Sequence, residues 1–296
     1  MRHVEFFGCK HPIIAAPMNQ VSDINLAVAC HEAGILPSIS VYTFKERMFL
    51  LDHNVIDREI KKFQDRTGSS NILISVARGD FLKQTFYDMI MKNNIKFVEL
   101  IPNDIAYPTQ EEKTLYRQYT EAGVVALAKR LDSNFDPIKF SKGLVLKNRE
   151  GAGRVNIDAD PVEEIKKIRS LYPDLEIIMS GGIGTRDDVK KYLDLGCIAV
   201  AIGTLLAASE ESCISHETKL KLIESTWQDI TTLSKGAEQN GLVFSQVSND
   251  DFNHTEALKL GVKDPTQGLL FAGKGINNIK SIMPVKDIVQ ALVDGL

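Results

Sequence analysis

Residues 175–209 read LEIIMSGGIGTRDDVKKYLDLGCIAVAIGTLLAAS and hold two strand–glycine–helix units in succession. In the first, Ile177 to Met179 is an apolar run that predicts a buried strand. Ser180-Gly181-Gly182 is a turn almost free of side chains, and Thr185 begins a capped helix. In the second, Ile198 to Ile202 predicts the strand and Gly203-Thr204 opens the next helix. Glycines let backbone approach a ligand closely, and unpaired N–H groups at a helix start favour an anion there. One such turn is equally well explained by tight strand-to-helix geometry. Two in a row, near the close of a strand series, point to a phosphate, because βα-barrels commonly bind phosphate after strands seven and eight.

Other chemistry-bearing residues stand where apolar runs stop. Ala16-Pro17-Met18-Asn19 ends the first run with small residues and a proline, which suits packing against a flat aromatic ring. Ser75 and Lys129 stand at or near the ends of the third and fifth runs, and Lys129 reads equally well as a helix-start lysine. The sixth run opens into Lys147-Asn148-Arg149-Glu150-Gly151-Ala152-Gly153-Arg154, where charge and two glycines directly follow a buried strand. Polar function fits that segment better than packing does.

Those residues need a scaffold that gathers strand ends at one mouth, and the chain supplies its elements. Strands are predicted at Pro12–Ala16, Ile35–Ser40, Ile72–Ala77, Phe97–Ile101, Val124–Ala128, Gly143–Lys147, Glu176–Met179 and Ile198–Ile202, with helical periodicity between most of them. This alternation predicts an α/β fold, a (β/α)8 TIM barrel, with a doubly wound open sheet as the alternative. The weakest connection is SNFDPIKFSKG between strands five and six, whose Pro137 shortens or removes a helix. Residues 1–204 and 275–296 are read as the barrel. Residues 205–274 are read as a helical and loop extension after strand eight, placed near the mouth within one continuous unit. A long amphipathic helix is expected over Glu217–Leu233 and a final helix after Pro284.

Composition sets the outer bounds. The chain has 296 residues, 44% hydrophobic and 25% charged, with a formal net charge of −4, the profile of a globular protein with no basic patch for nucleic acid or membrane. Four cysteines without a CxxC suggest neither zinc nor a disulfide framework, and no metal site is expected. The N-terminus lacks a signal-peptide core, and no apolar stretch approaches the roughly 20 residues of a membrane span, so a cytoplasmic location is expected.

PIIAAPMN, KNREGAGR, SGGIGTRDDVKKYLDLGCIAVAIGT and FAGKGINNIKSIMPVKDIVQAL together resemble the nitronate monooxygenase family, formerly 2-nitropropane dioxygenases, which are FMN-dependent βα-barrels. The likeness runs along nearly the whole chain, and flavin-dependent enoyl-acyl-carrier-protein reductases share its motifs. The resemblance implies that Ala16, Pro17 and Met18 lie against the isoalloxazine and that Lys129 approaches its pyrimidine edge. It further implies that Ser180, Gly181, Gly182, Gly203 and Thr204 hold the phosphate, with Gly153 also at the cofactor. Where the family often has an asparagine in strand three, this chain has Ser75, a single hydroxyl for the same contact.

The largest departure is at strand six. The family usually reads Glu-Ala-Gly-Gly-His with the histidine as base, and here the segment is Glu150-Gly151-Ala152-Gly153-Arg154. A guanidinium stays protonated and cannot take a proton from carbon. An alkyl nitronate is already an anion and needs only a cation to orient it. Arg154 and Glu150 are therefore the expected catalytic residues, and oxidation of an anionic nitronate with dioxygen the expected reaction. His254, in the extension, is the other histidine considered as a base. NAD(P)H-dependent reduction of an enoyl-acyl-carrier-protein or a quinone is the alternative, with NAD(P)H as donor and an acyl-carrier protein as partner. A catalytically altered FMN-binding or tailoring subunit is the alternative from another class. A small-molecule substrate is expected throughout, and the oligomeric state is left open, a homodimer being one option.

Overall fold

The computed structural model describes residues 2–44, 52–101, 110–130, 142–155, 160–234, 238–244 and 254–296. The chain's early elements follow its apolar runs closely. Strands β1 (Ile13–Ala15), β2 (Ser38–Ser40), β3 (Leu73–Ala77), β4 (Phe97–Ile101), β5 (Val125–Arg130) and β6 (Gly143–Lys147) are each followed by a parallel neighbour. A two-residue strand, β7 (Gly153–Arg154), lies in the loop after β6, and β8 (Glu176–Ser180) and β9 (Ala199–Ile202) complete the parallel set. The order is β1-β9-β8-β6-β5-β4-β3-β2, parallel throughout. A parallel bridge between Ile14 and Leu36 closes the circle. The sheet is thus an eight-stranded barrel, as the alternation predicts.

The second strand is shorter than its apolar run because Pro37 has no N–H to give to a ladder. Its carbonyl still accepts from Leu73 N at 2.9 Å, and Leu36 N donates to Ile13 O at 3.0 Å, so the seam survives around the proline. Inside the barrel Ile14, Leu36, Leu73, Phe97, Leu127, Val145 and Ile178 form one apolar cluster. The opening helix, Arg2–Phe7, adds Phe7 to that cluster, with its ring centroid 5.5 Å from that of Phe97. Aromatic rings therefore plug the N-terminal end of the barrel, and only the C-terminal end is left for a ligand.

Helices cover the outside by their apolar faces. Helix Pro161–Leu171 begins with proline after an Asp160 cap that accepts from Val162 N and Glu163 N, and it buries Ile165 and Ile168. The final helix is Val285–Val293, as expected after Pro284. Residues 131–141, which carry the doubtful connection between β5 and β6, lie outside the described residues.

The extension differs in one respect from its expected form. Helix His216–Glu224 stops early, and the rest of the expected Glu217–Leu233 helix becomes a 3₁₀ turn at Trp227–Asp229 followed by a strand, β10 (Thr231–Ser234). The cause is local: Thr226 and Asp229 form a capping box, with Asp229 Oδ2 accepting from Thr226 N at 2.8 Å, and the β-branched Thr231-Thr232 that follows favours extended backbone. Strand β10 pairs antiparallel with β11 (Glu238–Val243), which also pairs with β12 (Leu269–Leu270) and with β7. Besides helices and loops, the extension thus carries a small sheet tied to the loop after β6.

Candidate functional site

A cavity of about 690 Å³ opens at the C-terminal ends of the strands. Ala16, Pro17, Met18, Ser75, Gly153, Arg154, Ser180, Gly181, Gly182, Gly203 and Thr204, all expected at the site, line it. Lys129 sits in β5 with its backbone paired to Val145, and its side chain lies outside the described residues. The side chain of His254, at the start of helix His254–Lys263, is likewise outside them.

The turn after β8 is built around close approach. Gly181 has φ +104°, a conformation L side chains rarely adopt, and a Cβ there would strike Asn148 Oδ1 and lie 3.0 Å from Gly151 Cα. The helix start beyond it is satisfied in part by its own capping box. Asp188 Oδ2 accepts from Gly184 N at 3.0 Å and Thr185 N at 2.9 Å, while Thr185 Oγ1 accepts from Asp188 N at 3.1 Å. Further donors for an anion lie earlier in the turn. The N–H groups of Gly181 and Gly182 donate to no backbone carbonyl among the described residues. Beside them, Thr204 Oγ1 accepts from Gly273 N at 3.1 Å, which docks the FAGKG segment against the second glycine turn.

The loop after β6 separates its two expected catalytic residues. Glu150 is absent from the cavity lining; its Oε1 pairs with Lys274 Nζ at 2.5 Å, and Lys274 N donates to Glu150 O at 2.8 Å. It clamps the FAGKG segment behind the glycine turn. Arg154 does line the cavity, on β7, with its Cα partner Gln239 in β11. The extension's sheet therefore fixes the backbone from which this side chain projects. Asn240 next door donates from Nδ2 to Arg149 O at 2.7 Å and Gly151 O at 2.9 Å, stitching the same loop to β11. The Lys147 ammonium reaches the carbonyl of Ala152, closing the loop from inside.

Opposite the glycine turns, the lining holds groups that sequence reading passed over. Glu99 in β4 is 2% exposed, and Ser75 Oγ donates to its Oε1 at 3.2 Å. The signal was present as a lone acidic residue inside the apolar run FVELI, at a position whose neighbours by alternation, Phe97 and Ile101, point the same way. Tyr42, from the 3₁₀ turn Val41–Phe44, accepts at its hydroxyl from Ala77 N at 3.1 Å, and burial pushes its phenol up to about 12. Leu258, Leu270 and Phe271 of the extension supply an apolar wall. No histidine is among the residues lining the cavity in the described structure.

This donor set fits a flat, phosphorylated cofactor. The glycine turns offer backbone N–H and no side chain to an anion, Ala16-Pro17-Met18 gives a small apolar platform, and Ser75 with Glu99 gives a polar floor. A Cβ on Gly203 would come within 3.3 Å of Met18 Sδ and 3.5 Å of Ala16 Cβ, so the absence of a side chain keeps the platform and the second turn in close contact.

Residues 161–295 match the family model described as nitronate monooxygenase. No curated protein matches the chain. Solved structures share the whole fold: FabK from Thermotoga maritima at a TM-score of 0.79 and 17% identity, over 99% of this chain and 94% of that one. Nitroalkane oxidase from Streptomyces ansochromogenes follows the fold at 0.72 and 17%, over 98% and 96%. The enoyl reductase domain of MlnA, from the macrolactin cluster of Bacillus amyloliquefaciens, does so at 0.75 and 10%, over 99% and 95%. At such identities the structures show the barrel alone. The family match covers both glycine turns and the FAGKG segment and bears out the resemblance read from those motifs; the protein is a flavin-dependent oxidoreductase.

Proposed function

We propose that this protein holds FMN at the barrel mouth and oxidises an anionic nitronate-type substrate with dioxygen. The observation that carries this reading is the position of Arg154: a permanent cation lining the same cavity as the glycine turns, with no histidine among the described lining residues. Gly181, Gly182, Gly203 and Thr204 would hold the phosphate, Ala16-Pro17-Met18 would carry one face of the ring, and Ser75 would stand at its polar edge. When bound, the flavin supplies the electron acceptor. Arg154 attracts and orients the anion, and a charge-assisted contact of this kind is worth about 1.5–3 kcal/mol. Glu150 acts on the cofactor site through the Lys274 clamp and touches no substrate.

The test is oxygen uptake by the flavin-loaded protein with an alkyl nitronate and with its neutral nitroalkane, measured separately. Turnover of the nitronate alone is expected. Turnover of the neutral nitroalkane at a similar rate would overturn the role given to Arg154.

The apolar wall of Leu258, Leu270 and Phe271 favours a second reading, NAD(P)H-dependent reduction of an enoyl thioester or a quinone. Rapid anaerobic bleaching of the flavin by NADPH or NADH would select it over the first.

A further inference from the structure

Among the described residues, two that are not glycine hold φ in the left-handed region, Asn94 at +53° and Gln20 at +65°. Asparagine visits that region routinely through its short amide, whereas glutamine carries the steric cost of a Cβ without that short reach. Such a cost persists only where the surroundings impose it. Gln20 stands in the turn after β1, and alone of residues 16–21 it does not line the cavity. Its amide is used as a tie. Gln20 Nε2 donates to Tyr42 O at 2.8 Å and to Asn19 Oδ1 at 3.2 Å. Thr43 Oγ1 donates to Met18 O at 3.4 Å, a second tie between the same two segments. The carbonyl of Gln20 is held as well, accepting from the Cys213 thiol of the extension at 3.4 Å. The turn therefore fastens the Ala16-Pro17-Met18 platform to the 3₁₀ turn Val41–Phe44. That second segment carries Tyr42, whose hydroxyl accepts from Ala77 N at 3.1 Å and which lines the cavity together with Arg154.

We propose that Gln20 is a positioning residue for the flavin reaction: its left-handed backbone and its amide hold the Ala16-Pro17-Met18 platform, and with it the ring, at a fixed distance from the Tyr42 side of the mouth. The assignment rests on the FMN reading above and goes beyond it by naming what keeps the platform in register with the rest of the cavity. Gln20 acts through Met18, Asn19 and Tyr42 and stands outside the cavity itself.

The test compares wild type with Gln20→Gly as full-length, FMN-loaded proteins. Glycine takes the left-handed conformation freely, so relief of strain offsets the lost amide bonds and the urea midpoint is expected to stay close to the wild-type value. The visible circular dichroism bands of bound FMN, which report how the ring sits in its asymmetric surroundings, should nevertheless change. The kcat for a nitronate should fall about tenfold or more, with FMN affinity, set at the glycine turns, little altered. Thr43→Val removes the second tie without touching the strained residue and should move the same flavin bands in the same direction. A merely structural Gln20 would lower the urea midpoint and leave the flavin bands and kcat at their wild-type values, which overturns the assignment. Wild-type bands in Thr43→Val overturn it as well, even if Gln20→Gly does not fold, and leave the FMN reading standing. Wild-type protein that takes up no FMN overturns both.

Discussion

Replacing Gly181 with alanine tests the glycine turn that anchors the site. Two penalties act together. The backbone at φ +104° lies outside the regions open to a side chain, at a cost of about 1–3 kcal/mol. The new methyl would also strike Asn148 Oδ1 and sit 3.0 Å from Gly151 Cα and N, an overpacking that costs about 1–3 kcal/mol more. Asn148 cannot yield without loss, since its Oδ1 accepts from Glu150 N at 3.1 Å and its own N donates to Ser180 O at 3.2 Å. Gly68→Ala is the matched control. It has φ +65° with nothing within 4 Å of the added carbon, so only the left-handed backbone cost of about 1–2 kcal/mol applies. Urea denaturation of both apoproteins should show Gly181→Ala as the more damaging by at least about 1 kcal/mol. An FMN titration should show loss of affinity for Gly181→Ala only. Equal destabilisation of the two variants, with flavin affinity intact in both, would refute the reading of this turn as a tightly enclosed cradle.

Other outcomes follow from the same geometry. Arg154→Ala should lower kcat/KM for a nitronate by about tenfold or more while FMN affinity changes little, and Arg154→His should gain turnover of the neutral nitroalkane; both are read by oxygen uptake. Glu150→Gln, measured the same way, should leave kcat within about threefold. Its pair with Lys274 is partly exposed, so its stability cost in a urea curve should stay within about 1 kcal/mol. Acid stability should depend on Asp57. Hydrogen bonds from Asn93 and then Lys92 hold its carboxyl at about 2, below the ordinary 3.8. A depressed carboxylate contributes stability above its unfolded value and loses it as pH falls, here between about 4 and about 2. Asp57→Asn should flatten that limb of the stability curve, as followed by circular dichroism.

Much of this fold was legible because buried parallel strands are short apolar runs, and each of the eight runs became a strand of the barrel. Pro37 shows the limit: the run Ile35–Ser40 carries the pattern, but only the three residues after the proline make regular pairs. The stretch from Ser225 to Ser234 misled because Ile230 and Leu233 continue a helical spacing, whereas the Thr226–Asp229 box sets a local stop that periodicity does not weigh. At the site, the glycines and Ala16-Pro17-Met18 announced themselves by backbone chemistry. Glu150 misled in the opposite way, since its partner Lys274 is 124 residues distant in sequence. Glu99 was hidden because one acidic residue in an apolar strand looks like a solvent-facing position until closure of the barrel shows that the face is interior.

The most direct measurement is the absorbance spectrum of the purified protein, with the pigment released by denaturation and identified. The expected result is a yellow protein releasing FMN, up to one per chain, whose colour is lost in Gly181→Ala. A colourless protein that takes up no FMN when it is supplied would contradict the account.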